Sequence, residues 1–419
     1  MKNVDIMVLG ATGFTGKVVV KILAELSKEN GSFMSWGVSG RSRDKIQDVL
    51  MELEKQGLQA NNVAAVECDI KNLDSLQKVT QMSRILINCT GPNTLLGIPV
   101  VKACIESRTH YLDISAELFH ILNLYRNYNE AAEEANVLVI PACGFSAMPV
   151  EAGLIYLERC FKGTLNTVEC YAELDMPKRA YIPGKCLVHY GTWESMVYAM
   201  DDFKKYQELK REIFPKPVVA QVPEEMNKSF FHRHNGKFWF PYPGTENHAT
   251  EMSQRYLYEK KQKQPIHFKA YTAMPLFIYN FIIIPAFFFL YYMCNFTCFK
   301  RLLKLYPRFF TFGYISHKGP SESMRNDTKF RFTLHGRGWD SESNFKSKPT
   351  KSITVQVSCT DPGYRTTAVS IVCSAITILK EKIKMPEGGV IMPGAAFYET
   401  EVVDRLEALG IRYEVMGCK

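Results

Sequence analysis

The sequence predicts an α/β protein with an N-terminal doubly wound parallel sheet and a second, mixed-sheet α/β domain carrying a hydrophobic insertion. Three observations predict it. Short apolar runs alternate with helical spacing through the first 150 residues, the alternation then breaks, and residues 270–299 contain no Asp, Glu, Lys, Arg or His. At 419 residues there is room for two or three domains of roughly 150 residues each. A composition of 46% hydrophobic and 22% charged residues excludes a disordered chain and a polytopic membrane protein. The net charge of +8 is too mild to signal a nucleic-acid partner. The 12 cysteines form no C-x-x-C pair, as expected for reduced thiols in a cytosolic-facing protein. Cys294 and Cys298 lie close together but have no His or acid nearby, so no metal site is expected. The chain opens directly into a strand, with no secretory leader pattern.

The elements follow in order. Residues 4–9 read as a strand, a glycine turn follows, and Val18, Val19, Ile22, Leu23 and Leu26 then fall at helical spacing. The cycle repeats as strand 36–39, helix 43–56, strand 63–68 and helix 74–81. It continues with strand 85–89, helix 100–106, strand 111–114, helix 117–135 and strand 137–140. Alternation of this kind implies a parallel sheet covered by helices on both faces.

The turn Gly10-Ala11-Thr12-Gly13-Phe14-Thr15-Gly16 is the strongest chemical signal. Glycines let backbone N–H groups approach a pyrophosphate, and the following helix aims the positive end of its dipole at the same anion. Between a strand and a helix this is a Rossmann dinucleotide site over residues 1–150. The second strand ends Ser39-Gly40-Arg41-Ser42-Arg43, with no acid before Asp44. A carboxylate there would bind a ribose 2′-OH, whereas Arg41 and Ser42 suit a 2′-phosphate, so the expected cofactor is NADP(H). Alternatively, Ser42 only caps the next helix. Three later loops sit at carboxyl ends of strands, where such sheets bind ligands. Asp69 is expected near the adenine, and Thr90-Gly91-Pro92 near the ribose and pyrophosphate. Tyr111 and Asp113 fall where nicotinamide and substrate would meet, although Ser115 there equally reads as a helix cap.

Together, G-A-T-G-F-T-G at 10–16, S-G-R-S at 39–42, N-C-T-G-P at 88–92, Y-L-D-I-S at 111–115, G-F at 144–145 and G-G-V-I-M-P-G-A-A-F at 388–397 resemble the saccharopine dehydrogenase-like oxidoreductases, nearly end to end. The resemblance implies a Rossmann domain, a mixed α/β domain, and association with lipid droplets or membranes. Bacterial relatives of that family include a trans-acting enoyl reductase of glycolipid synthesis. Where the family commonly has Gly and Asp, this chain has Ala116 and Ser146. The first change is expected to narrow the space near the cofactor and the second to remove a possible general acid or base.

Residues 149–153 read as a hinge into a second domain, 151–419. Its expected elements are strands 168–174, 330–334 and 353–358 with helices 193–203 and 366–383. A closing helix 399–409 and strand 412–415 follow, and the segment 388–419 could pack back on the Rossmann domain. Catalytic groups are sparse. Tyr206/Lys210 and Tyr256/Lys260 match Tyr-x-x-x-Lys but lie in charged helical stretches. His189, beside Tyr190 and Glu194, can furnish a proton donor or simply mark a helix start.

A helix through 270–299 would measure about 45 Å, enough to cross a ~30 Å hydrocarbon layer. A single crossing would part the last hundred or so residues from the Rossmann domain, and Pro285 divides the run. Lys260, Lys261, Lys263 and Lys269 precede it and Lys300, Arg301, Lys304 and Arg308 follow, placing both ends on the cytosolic side. The expectation is a re-entrant or interfacial insertion into a membrane or lipid-droplet monolayer. The alternatives are a buried helix or a homodimer contact.

These readings converge on an NADP(H)-dependent oxidoreductase acting on a hydrophobic, lipid-related substrate at a membrane or lipid-droplet surface. Asp113, Tyr111 and His189 are the candidate proton partners. The competing reading is a nucleotide-binding lipid-surface scaffold or redox sensor without turnover.

Overall fold

The computed structural model describes residues 2–29, 34–60, 62–145, 147–218, 226, 229–273, 285–286, 288–340 and 348–418. Six apolar runs form parallel strands β1 (Val4–Leu9), β2 (Trp36–Gly40), β3 (Ala64–Glu67), β4 (Ser83–Asn88), β5 (His110–Asp113) and β6 (Leu138–Ile140). Between them run α1 (Phe14–Glu29), α2 (Arg43–Lys55), α3 (Leu73–Met82), α4 (Asn93–Glu106) and α5 (Leu118–Glu134). The strand order, with the short seventh strand β15 (Gly389–Val390) beside β6, puts β1 between β2 and β4. Alternation along the strands sends Met7, Leu9, Leu86, Tyr111 and Val139 into one core with residues of α3, α4 and α5. Ile6, Val8, Ile85 and Ile87 are equally buried and belong to the other face.

The helix Thr367–Glu381 packs against α1 and over β4 and β5. It is largely apolar, with the small hydroxyls of Thr367, Ser370, Ser374 and Thr377 among its buried residues, and every residue from Thr367 to Ile378 is buried, the pattern of a helix inside a core rather than on a surface. The first unit is therefore 1–148 together with 363–406, and the second is 149–362 with 407–419. A single division near residue 150 does not describe this chain, because the parallel sheet needs a helix that the sequence supplies more than 200 residues later. Pro149 also sits inside a helix start, α6 (Met148–Phe161), rather than in a hinge, since the first turn of a helix tolerates proline's missing N–H. Likewise α4 starts at Asn93, upstream of Pro99 and earlier than the expected residue 100.

The second unit is built on a mixed seven-stranded sheet. Its central strand β7 (Thr164–Asp175) pairs parallel with β11 (His267–Ala273) and antiparallel with β13 (Lys329–Trp339). Beyond them lie β14 (Lys351–Thr360) and β16 (Arg412–Cys418) on one side, β10 (Lys237–Pro241) and β9 (His232–His234) on the other. β8 (Val188–His189) and β12 (Ile315–Ser316) form a separate two-stranded ladder. One face, with Phe330, Phe332, Leu334, Val355 and Val357, is buried, and Gly153 of α6 lies so close that a Cβ there would stand 2.6 Å from Val357. The other face carries Arg331, His335, Glu169 and Tyr171. Helices α7 (Tyr190–Ile213) and α8 (Glu246–Lys261) complete the main elements.

The uncharged run is not one helix. Residues 270–273 close β11, 288–293 are helical, and a new helix runs Thr297–Leu305, while 274–284 and residue 287 lie outside the described residues. Among the described residues no helix is long and apolar enough to cross a membrane.

If the 367–381 helix completes the first core, Ile371→Ala should lower the opening free energy of the β1 and β4 amides by about 2–5 kcal/mol in native-state hydrogen exchange. Unchanged exchange there would contradict it.

Candidate nucleotide-binding site

The turn after β1 is shaped by three glycines with separate steric reasons. Gly10 has φ +84°, and a Cβ there would meet Thr90 Cγ2 at 2.9 Å and the Cys89 carbonyl carbon at 3.0 Å. A Cβ on Gly16 would lie 2.1 Å from the Gly10 carbonyl oxygen, so α1 can approach the turn this closely only with glycine. Gly13 donates its N–H to Gly10 O at 3.0 Å and is itself exposed. Ser39 O accepts from the amides of Gly10 and Ala11, which ties the turn to the end of β2. At the start of α1, where the sequence reading expects an anion, Thr12, Phe14 and Thr15 are partly exposed. Phe14 stacks edge-on with Tyr364, 4.7 Å between ring centroids, so the returning segment buttresses the start of α1.

The carboxyl ends of neighbouring strands bring the other expected residues to the same edge. A Cβ on Gly40 would lie 3.4 Å from Thr12 Oγ1, which sets the end of β2 against the turn. Arg41 is exposed and has no ion pair among the described residues. Ser42 is the N-cap of α2 and accepts from Lys45 N at 3.4 Å, so its hydroxyl oxygen is already engaged in capping. Arg41 is thus left as the exposed cation at the end of β2. Asp69, exposed at the end of β3, accepts from Lys71 N at 3.0 Å and shapes the turn into α3. Thr90 is anchored through its amide and hydroxyl to Asn88 Oδ1, at 3.0 and 2.6 Å, with Gly91 exposed and Pro92 buried beside it.

Tyr111 and Asp113 do not face solvent. Both are fully buried; the Tyr111 hydroxyl donates to Asp113 Oδ2 at 3.0 Å and accepts from Asn88 Nδ2 at 3.0 Å. Asp113 Oδ1 accepts from the amides of Ser115 and Ala142 at 2.8 and 2.9 Å. Burial and the Asp113 carboxylate push the Tyr111 hydroxyl well above its usual range, so it remains a protonated donor. These two residues hold the loops after β5 and β6 in place, and the expectation that they pass protons directly to a substrate gives way to a positioning role. The network reaches further than sequence reasoning found. Glu117 caps α4 by accepting from the amides of Asn93 and Thr94 at 2.9 and 2.6 Å, and the buried His120 lies 3.7 Å from Asp113. The Y-L-D-I-S-A-E segment signalled a polar cluster, but nothing local pairs Glu117 with a helix 24 residues upstream.

Ala116 is exposed and has no left-handed backbone, so the residue expected to crowd the site is accommodated without strain; Ser146 lies outside the described residues. His189 belongs to the second unit. It caps α7, its Nδ1 accepting from Gly191 N at 3.0 Å, and the half-buried ring is held below its ordinary pKa by desolvation. The Tyr-x-x-x-Lys match at 206 is not a pair, because Tyr206 bonds His248 and Lys210 bonds Glu251.

The profile of the saccharopine dehydrogenase NADP binding domain matches residues 6–140, which span the turn, Arg41 and the Thr90 loop. The chain is 32% identical to the saccharopine dehydrogenase-like oxidoreductase of Rattus norvegicus, over 99% of this chain and 97% of that one. It is 27% identical to the lipid droplet localized protein of Caenorhabditis elegans, over 99% of both. Among solved structures, the L-glutamate-forming saccharopine dehydrogenase of Saccharomyces cerevisiae aligns with a TM-score of 0.53 and 12% identity, covering 99% of this chain and 100% of that one. That likeness shows the fold. The cofactor is NADP(H).

Two substitutions probe the site. Gly16→Ala should abolish NADPH binding. Arg41→Ala should weaken NADPH roughly tenfold to a hundredfold, the loss of about 1.5–3 kcal/mol typical of a hydrogen bond to a charged group, while leaving NADH unchanged in fluorescence titrations. Equal losses for both nucleotides would contradict the placement of Arg41.

Proposed function

The chain belongs to the saccharopine dehydrogenase-like oxidoreductases, and from that premise we propose that it transfers hydride between NADP(H) and a hydrophobic, lipid-related substrate at a membrane or lipid-droplet surface. The observation that carries the lipid reading is a row of exposed aromatic and aliphatic side chains on the second unit. Phe289, Tyr292, Tyr306, Phe309 and Phe312 are 59%, 62%, 58%, 78% and 75% exposed, and Leu305 stands among them at 59%. A single exposed apolar residue is ordinary; this many within 24 residues supports insertion into an interface. The helix Thr297–Leu305 separates two faces. Leu303 joins a core with Trp193 and Val197 of α7, and Lys300 and Lys304 bond Asp201 and Tyr198, while Arg301 and Arg308 are left exposed for headgroups. The name of the worm relative agrees with such a surface.

Bound NADPH supplies a hydride for one end of a polarised C=C, C=O or C=N group, and the other end then takes a proton. The residues of this chain bind and orient: Gly10 to Gly16 and α1 receive the pyrophosphate, Arg41 the 2′-phosphate, and Asn88, Tyr111 and Asp113 fix the Thr90 and Ser115 loops. His189 remains the proton partner of the reading, because its ring, unlike those buried groups, is partly open to solvent. Its lowered pKa fixes the sign of the pH dependence. As a proton donor in reduction it is charged only below the usual 6.5, so kcat/KM should rise as pH falls through that range. His189→Gln should flatten that rise, and an unaltered profile would remove His189 from the mechanism.

The sealing of Tyr111 and Asp113 favours a second reading, a nucleotide-binding scaffold or redox sensor without turnover. NADPH oxidation assayed with fractionated lipid extracts separates the two. Consumption with one fraction supports the enzyme, and its absence in folded, NADPH-bound protein supports the scaffold. For the surface itself, Phe309→Ser with Phe312→Ser should reduce flotation with phospholipid vesicles at least about tenfold, given ~25 cal/mol per Å² of apolar area inserted. Undiminished flotation would refute the docking surface.

A further inference from the structure

The amino ends of the first sheet, opposite the nucleotide turn, gather positive charge. Lys2 precedes β1, Arg84 lies at the start of β4, Arg108 and His110 bracket the start of β5, and Lys382 follows the 367–381 helix. These five line one cavity of about 180 Å³, walled also by aliphatic side chains of that helix. At about 30 Å³ per liquid water, it has room for a phosphate group and several waters.

The charges are balanced only in part from within, the Glu387 carboxylate acting on Lys382 and Asp5 on Arg84. Lys2 Nζ donates to the Arg108 carbonyl and to Thr109 Oγ1 at 2.8 Å; Lys382 Nζ donates to the Pro386 and Glu387 carbonyls at 2.7 and 2.9 Å. All of these acceptors are neutral. Arg84 pairs with Asp5 at 2.9 Å, but among the described residues no ion pair neutralises Lys2, Arg108 or Lys382. The nearby helix C-terminus contributes only about half a negative elementary charge, too little to offset three cations. His110 Nδ1 accepts from Leu138 N at 3.0 Å, so the neutral ring carries its proton on Nε2 and adds a donor. Burial, then Lys382, Lys2 and Arg84, push His110 down to about 4; Lys2 is itself lowered, by desolvation first and then by Arg84. No Asp or Glu is among the described residues that line the cavity. A concave site made of donors, lined by cations that outnumber the acids acting on them, has one natural complement.

We propose that this cavity is an anion site, separate from the nucleotide turn, that binds a phosphate group carried by a soluble phosphate monoester or by a phospholipid headgroup. The recognition chemistry is charge-assisted hydrogen bonding from Lys2, Arg108 and Lys382, with His110 as a neutral donor. An anion there screens His110 from its cationic neighbours, which makes the imidazole a reporter of occupancy.

The test uses the full chain saturated with NADPH, so that the turn is filled, and histidine-labelled for NMR, with the His110 ring signal assigned through His110→Asn. Inorganic phosphate is titrated at constant ionic strength against chloride. The expected result is a saturable shift of the His110 signal and a rise in its pKa. Phosphate affinity should fall at least about tenfold in Lys382→Met and in Arg108→Asn, the latter chosen because asparagine tolerates the left-handed backbone at φ +51°. NADPH affinity should be unchanged in both. Glycerol phosphate and vesicles containing phosphatidic acid then distinguish the sources: a shift with the first assigns a soluble ester, and a shift with vesicles alone assigns a headgroup. A His110 signal that phosphate moves no more than chloride does, or wild-type phosphate affinity in both variants, would overturn the proposal.

Discussion

The contact on which the first unit depends is the approach of Gly16 to the Gly10 carbonyl oxygen, where a side-chain carbon would lie 2.1 Å away. That approach fixes α1 against the end of β1 and keeps side-chain carbon out of the space between them. The position of α1 in turn sets the groove that the 367–381 helix fills, and the returning segment places Tyr364 on Phe14. A steric condition met by two glycines therefore reaches to an element hundreds of residues away. It also explains why the chain returns to the first sheet at all: without that helix, part of the face carrying Ile85 and Ile87 would be bare of apolar cover.

Behind the turn, a buried polar network does for the loops what the glycines do for the backbone. Asn88, Tyr111 and Asp113 use their hydrogen-bonding capacity on one another and on loop amides, and Glu117 places a carboxylate at the start of α4. Anion chemistry is thereby segregated. The start of α1 is left for the cofactor, while the start of α4 is filled by the protein's own charge. Such a network stabilises where its members are satisfied, as Asn88, Tyr111 and Asp113 are, and these buried groups act by positioning others.

The alternation of β1 to β6 with α1 to α5 was legible because parallel strands buried on both faces read as continuous apolar runs, and glycine turns separate them from amphipathic helices. Arg41 was legible for the same local reason: it follows a strand whose end is recognisable. What escaped local reading depends on partners far apart in sequence. The 363–406 segment carries a largely apolar helix that looks the same in either domain. Glu117 meets an amide 24 positions earlier. The basic cavity draws on Lys2, Arg84, Arg108 and Lys382, whose spacing along the chain has no pattern. The uncharged run was conspicuous, but its first residues finish β11, because β-branched and aromatic residues suit a strand as well as a lipid interface. The exposed aromatics that support docking extend past it, to Phe312.

The central claim is that one nucleotide site, built by both ends of the first unit, binds NADP(H) through the Gly10 to Gly16 turn and Arg41. Hydrogen exchange of the full chain with saturating NADPH, compared with NADH at the same concentration, tests it most directly. The account predicts slowed exchange at 10–16, 39–43 and 88–92 with NADPH and weaker protection at 39–43 with NADH. Absence of protection at 10–16, or identical protection at 39–43 by the two nucleotides, would contradict it.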